Sequence, residues 1–239
     1  MNTIIEKFNL CFIDNGYWKW LAEGFGKSLL ITVFAVIFGF VLGVVIATIR
    51  SSYDKNEESM KLRGGFGYWI LKFFNGLCKI YVTVIRGVPV VVQLLIWYFV
   101  ILVSQDDIYI AIVAFGCNSG AYVSEIFRGG IMSIDQGQFE AGRSLGFNYV
   151  QTMVYVVIPQ VIKTVLPALL NEVIALLKET SIAGYVGIMD LTKAGELIRG
   201  RTFEAFMPLI AVAIIYLLTV IILSKIFGTF EKRLRKNER

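Results

Sequence analysis

Histidine is absent from this chain of 239 residues, and only three cysteines occur, Cys11, Cys78 and Cys117. The cysteines form no CxxC pair, which removes the usual zinc and haem arrangements. Without histidine there is no Ser-His-Asp or Cys-His catalytic group. Charge is scarce too: 17% of residues are charged and 56% apolar, with mean hydropathy +0.69. A soluble domain carries about a quarter charged residues. The composition therefore defines an integral membrane protein, and the length suits one bundle over residues 1–239. The net charge of +5 sits mostly in loops and tail. That is the signature of membrane orientation and gives no reason to expect a nucleic acid partner. No internal repeat is visible, which counts against the inverted-repeat secondary carriers. The acidic or metal-ligand cluster of a membrane enzyme is missing, as is the continuous polar lining of a channel.

Long apolar runs are what the chain has instead. Ser28 to Ile49 is free of charge and, as a helix of about 33 Å, crosses a hydrocarbon core of about 30 Å. Tyr17, Trp18 and Trp20 before it suit an outer interface, and Arg50, Lys55, Lys61 and Arg63 after it suit the cytoplasm. Residues 1–27 mix charges with aromatics and do not read as a cleaved leader. The region 66–104 is too long for one straight crossing, at about 58 Å. A polar stripe, Lys72, Asn75, Lys79, Thr83 and Arg86, marks its first half, and Gly87 and Pro89 allow a bend before its charge-free second half. Spans over 108–130, 149–177 and 205–224 follow. The fourth is interrupted by Pro159, Gln160, Lys163, Pro167, Asn171 and Glu172, so lipid does not surround it. The tail is basic, from Lys225 through Lys232, Arg233, Arg235 and Lys236 to Arg239. The fold class expected is an all-α membrane protein of about five spans, N-terminus outside and C-terminus cytoplasmic. The four Lys or Arg of 178–204 run against that orientation.

Three stretches are candidates for function. Gly26-Lys27-Ser28 ends a phosphate-loop pattern, but Leu21 stands where its first glycine belongs, and a membrane span follows. It is read as an interfacial lysine at the head of a span. In 116–130, Asn118 falls about 15 Å below the outer edge of its span, near the bilayer midplane. Asn118, Ser119, Tyr122 and Glu125 share one helix face, and Gly116 and Gly120 allow close approach. Polar groups at that depth face protein or water. They suit the ammonium and carboxylate of an amino acid. The structural alternatives are an ion pair of Glu125 with Arg128 and helix–helix hydrogen bonds for Asn118 and Ser119. Arg86 and Gln93 on the second span have similar standing.

The third stretch is 133–148, which the span order places in the cytoplasm. Glu140, Ala141, Gly142 and Arg143 form one or two helical turns that Gly146 can end, and Phe139 and Leu145 give them an apolar side. Such a helix is either a docking element or an ordinary capped loop helix. Its spacing resembles the cytoplasmic loop of permease subunits in ABC importers: Glu-Ala-Ala, three residues, Gly, nine residues, Ile, any residue, Leu-Pro. Here it reads Glu140-Ala141-Gly142, then Gly146, then Val156, Val157, Ile158 and Pro159. Gly142 is the main departure, since glycine weakens a helix by up to about 1 kcal/mol relative to alanine. RGVPVVVQLLIWYF, NSGAYVSEIFRGGI, GQFEAGRSLG, IPQ and LLKETSIAGYVGIMDLT also resemble polar amino acid permeases of the histidine, glutamine and arginine type, and the resemblance covers roughly 20–235.

The resemblance implies a type I importer permease in a prokaryotic cytoplasmic membrane. Its partners would be a second permease subunit, identical or paralogous, two ATP-binding subunits and an external solute-binding protein. ATP and magnesium would bind those ATPase subunits, with no cofactor on this chain and no enzyme activity in it. Residues Gln138, Phe139, Glu140, Ala141, Gly142, Arg143, Leu145 and Gly146 would couple to the ATPase. The solute pocket would gather around Asn118, Ser119, Tyr122 and Glu125, with Arg86 and Gln93. The rival expectation is a secondary amino acid carrier that needs no ATPase.

Overall fold

The computed structural model describes residues 2–236, which form helices and no strands. In chain order these are α1 (Asn2–Phe8), α2 (Trp18–Arg63), α3 (Phe66–Gly87), α4 (Val90–Ile96), α5 (Asp107–Met132), α6 (Gln136–Ser144), α7 (Tyr149–Thr152), α8 (Ile158–Glu179), α9 (Leu191–Thr202) and α10 (Phe206–Lys236). Five stretches are long and apolar enough to cross a membrane: Trp18–Lys55, Phe66–Gly87, Asp107–Met132, Tyr149–Val186 and Phe206–Arg233. Of the basic tail, Arg239 lies outside the described residues.

The elements differ from the sequence expectation where local signals were weak. α2 does not stop at Ile49 but runs for 46 residues. At 1.5 Å per residue that is about 69 Å, more than twice the hydrocarbon thickness. Nothing between Arg50 and Arg63 breaks a helix; Gly64 and Gly65, at φ 60° and 116°, end it. The expected bend of the second span is a full break. Val88 and Pro89 adopt extended backbone, with ψ 133° and 137°, because proline drives the preceding residue out of helical geometry. The fourth span instead tolerates its prolines. A π-helical turn over Met153–Val157 precedes Pro159, and the helix continues through Pro167.

The chain divides into two compact units, Met1–Ile37 with Pro89–Gly116 and Val173–Ile226, and Phe38–Val88 with Cys117–Glu172 and Phe227–Arg239. In the first, Ile31, Leu94, Phe115 and Leu176 centre one apolar cluster, and Cys11, Leu21, Leu191 and Ile198 another. α2 meets the start of α9 here at close range. A Cβ on Gly24 would lie 2.5 Å from the Asp190 carbonyl oxygen, so only glycine fits. Beside it the Leu191 amide donates to Ser28 Oγ at 3.3 Å, while Lys27 pairs with Glu23 at 2.8 Å. Both polar residues of the phosphate-loop lookalike are thus engaged in helix packing and surface pairing. Asp190 is fully buried and caps α9, accepting from the Thr192 and Lys193 amides. Burial pushes its carboxyl up from 3.8 to about 6.

In the second unit, α2 and α5 touch through Gly43 and Gly120. A Cβ on Gly43 would lie 2.6 Å from Val123, and one on Gly120 would lie 3.0 Å from Leu42. Small residues at such crossings let membrane helices pack backbone to backbone. A third cluster, Ile131, Phe139, Val157, Val161 and Val165, packs α6 beneath α5 and α8.

Candidate functional site

Two groups of residues in the second unit carry the chemistry. The first lies along α5. Asn118 and Ser119 are buried. Ser119 Oγ donates to Glu172 Oε1 of α8 at 2.9 Å. Glu172 is half-buried, a placement that costs a carboxylate without a cation, and among the described residues no Lys or Arg lies within ion-pair distance of it. Two turns along α5, Glu125 accepts from Arg50 of α2 and from Arg128 Nε at 3.3 Å. Arg86 of α3 approaches it at 3.7 Å and lies over the Tyr122 ring at 5.3 Å. Arg128 also pairs with Asp54 at 3.3 Å. Among the described residues, three guanidiniums therefore face two carboxylates. Tyr81 closes this group by donating to the Cys117 carbonyl.

The structure thus brings Arg86, Tyr122 and Glu125 together and places Asn118 and Ser119 on the same helix. Gln93 is buried on α4 in the first unit. The ion pair weighed for Glu125 is present and larger than the Glu125–Arg128 pair alone. Sequence reasoning missed Glu172, Arg50 and Asp54 as site residues. Glu172 stood out only as an interruption of an apolar span and Arg50 only as a charge closing one. Their polar character at membrane depth was the available signal.

The second group is the loop helix α6. Asp135 caps it, accepting from the Gly137 amide at 2.6 Å. Gly146, at φ 83°, ends it as expected. Asn148 and Gln151 then form a reciprocal capping box that starts α7, both bonds at 2.9 Å. Fixed turns therefore bound the segment on both sides. Its two apolar residues part company. Phe139 is only 8% exposed, in the cluster with Val157, Val161 and Val165, and the Lys55 ammonium lies 4.6 Å from its ring. Leu145 is 73% exposed. Gln138 accepts from Gln160 of α8 at 3.1 Å. Glu140, Ala141, Arg143 and Gly146 are exposed with Leu145, and Gly142 is buried. The departure at Gly142 has a steric cause: a Cβ there would lie 2.5 Å from Thr152 Cγ2. The first unit holds a cleft of about 510 Å³ lined by Ser181, Gly184, Tyr185, Thr192, Lys193 and Glu196.

Membrane-length helices that carry polar residues, with a loop helix capped at both ends, are features a membrane transport component would need. The model of the family described as "Binding-protein-dependent transport system inner membrane component" matches residues 62–236. The glutamine transport system permease protein GlnP of Escherichia coli K12 is 34% identical over 220 residues, 90% of this chain and 93% of that protein. The arginine transport system permease protein ArtQ of Bacillus subtilis 168 is 35% identical over 222 residues, 91% and 94% of the two chains. An amino acid ABC transporter solved with histidines superposes with TM-score 0.78 at 35% identity, covering 91% of this chain and 95% of that one. The MetNI methionine ABC transporter, in inward-facing conformations, shares the fold at TM-score 0.76 and 19% identity, covering 93% and 99%. The chain belongs to the family of binding-protein-dependent transport system inner membrane components. The all-helical ABC permease fold expected from the sequence is the fold observed, and the family does not favour the secondary carrier.

Proposed function

We propose that this chain is the membrane-spanning permease subunit of an ATP-driven importer of polar amino acids, working by alternating access. Its setting is a prokaryotic cytoplasmic membrane, with the N-terminus outside and the C-terminus in the cytoplasm. Its partners are a second permease subunit, identical or paralogous, two ATP-binding subunits that bind ATP and magnesium, and an external solute-binding protein. Bond chemistry belongs to the ATPase subunits, and this chain carries no cofactor.

The observation that carries this reading is the two-sided character of α6. Glu140, Ala141, Arg143, Leu145 and Gly146 are presented outward as a knob for an ATPase groove. Gln138, Phe139 and Gly142 seat the helix on Gln160, Val161, Val165 and Thr152. A push on the outer face therefore reaches α8. Glu172 lies twelve residues beyond Gln160 on the same helix, about 18 Å away, and bonds Ser119. Motion of α8 would alter the Ser119–Glu172 contact and with it the binding face of α5. Asn118, Ser119, Tyr122 and Glu172 are the solute contacts. Glu172, which pairs with no cation among the described residues, suits the ammonium of an amino acid. Glu125 is engaged by arginines and positions Arg86 instead.

The test is co-purification from the native membrane in detergent. Wild type is compared with Leu145→Asp and Glu140→Arg, both at exposed positions. An ATPase subunit that accompanies wild type and is lost from the variants, with their melting unchanged, is the expected result. An ATPase retained by both variants would overturn the role of α6.

A further inference from the structure

Helix α3 presents two distinct faces, about 120° apart at 100° per residue, that the described residues leave largely uncovered. One is apolar: Phe66, Trp69, Phe73, Leu77, Ile80 and Val84 are all exposed and project within about 60° of one direction, at 100° per residue. The other carries Lys72, Lys79 and Arg86, exposed and seven residues apart, with Asn75 and Thr83 between them. Seven residues rise about 10.5 Å and return to within about 20° of the same direction, so the three cations form a ladder about 21 Å long. Leu71, Cys78, Val82 and Ile85 form the flank that turns into the chain.

Lipid suits the apolar face and excludes the other, because Lys and Arg at membrane depth face protein or water. The two lysines carry no acidic partner among the described residues: no carboxylate lies within ion-pair distance of Lys72 or Lys79. Lys72 lies over the Tyr68 and Trp69 rings at 5.7 and 5.2 Å. Arg86 shares Glu125 with Arg50 and Arg128. A dry contact would require a partner to supply acids at the same seven-residue spacing, whereas water solvates such a row without them.

The ladder also has a direction. It begins near Gly64-Gly65, at the end of the bundle where Lys55 meets Phe139 of α6, and ends at Arg86 against Tyr122 and Glu125. It joins the candidate solute face of α5 to the membrane side that carries the docking helix.

We propose that Lys72, Lys79 and Arg86 line the water-filled inward exit of the translocation path and hold the carboxylate end of a zwitterionic amino acid as it leaves. This rests on the importer reading above. The ladder would favour anionic groups and repel free amines and metal cations along the exit.

The test is thiol accessibility in the assembled transporter, in inside-out vesicles. The parent carries Cys78→Ser, since Cys78 flanks the ladder; Cys11 and Cys117 are buried, and the parent's own labelling is the blank. Lys72→Cys, Lys79→Cys and Ile80→Cys are treated with sulfonate-bearing and ammonium-bearing methanethiosulfonates, with rates normalised to glutathione. The expected results at position 79 are labelling in the nucleotide-free state, a severalfold preference for the anionic reagent, and a rate at least about tenfold lower after ATP–vanadate trapping, as the exit closes. Position 80, on the lipid face, stays unlabelled.

No labelling at position 79 in either state means a dry contact with a partner subunit and overturns the proposal. Equal labelling in both states means a standing headgroup or cytosolic surface and overturns it too. Uptake by the parent is measured in parallel in right-side-out proteoliposomes, with and without ATP inside and with the solute-binding protein outside. ATP-independent uptake would contradict the importer reading alone, and the anion preference at position 79 would still decide whether the ladder faces water.

Discussion

Gly142→Ala sets two known effects against each other. Alanine favours a helix over glycine by about 1 kcal/mol. Against that, the new Cβ would lie 2.5 Å from Thr152 Cγ2 and 2.6 Å from Oγ1. Thr152 is buried, so it has little room to yield, and overpacking of this kind costs about 1–3 kcal/mol. The net effect is a loss of about 0–2 kcal/mol. At about 2–4 °C per kcal/mol for a chain of this size, the melting temperature falls by a few degrees. Thr152→Ala removes both clashing atoms and leaves only the Cβ, at 3.0 Å. Its hydroxyl makes no hydrogen bond among the described residues, so that change loses volume but no bond. In the Thr152→Ala background, Gly142→Ala should therefore raise the melting temperature. Thermal unfolding of the four detergent-solubilised proteins completes the cycle. A Gly142→Ala variant that is stabilised on its own would show that α6 is not seated tightly on α7. Destabilisation that persists in the double variant would show that Thr152 is not the obstacle.

Two further changes probe the polar groups. Asp190 has a folded pKa of about 6, raised above its ordinary 3.8 by burial. Its contribution to stability is thus fully present below about pH 4 and is lost as pH rises through about 6. Asp190→Asn keeps an N-capping side chain and should flatten the fall in melting temperature between pH 4 and 7; an unchanged slope would assign the effect elsewhere. Among the described residues, Glu125→Gln leaves Arg50, Arg86 and Arg128 facing one another with Asp54 alone opposite, and should cost about 2–3 kcal/mol. That is below the full range for a broken buried pair, because the Glu125 side chain is 24% exposed. Arg50→Gln in the Glu125→Gln background should recover part of the loss in a melting assay, and additivity of the two would argue against a shared network.

Local features of this fold were readable from residues alone. The break before Pro89 follows from proline's own geometry, and the end of α6 follows from the backbone freedom of Gly146. The loop helix α6 was legible through the spacing of Glu140, Gly146 and Pro159. Contacts made at long range were not. Glu125 and Arg50 are 75 residues apart, and Ser119 and Glu172 are 53 apart, so no periodicity links them. The inward turn of Phe139 depends on Val157, Val161 and Val165, which α8 brings to it. The length of α2 was missed because charge was taken to end a span; charge ends burial in lipid and leaves the helix itself intact. Gly142 departs from the permease pattern in sequence, and its reason, the neighbouring Thr152, exists only in three dimensions.

The central claim is that this chain moves an amino acid only when a separate ATPase drives it. The direct measurement is uptake of labelled glutamine and arginine, the solutes for which its relatives are named. Proteoliposomes would hold the complex purified through this chain, with the matching solute-binding protein added outside. The account predicts uptake that requires ATP inside and the binding protein outside, that is stopped by vanadate, and that is lost in Leu145→Asp. Uptake driven by a sodium or proton gradient without ATP would contradict it.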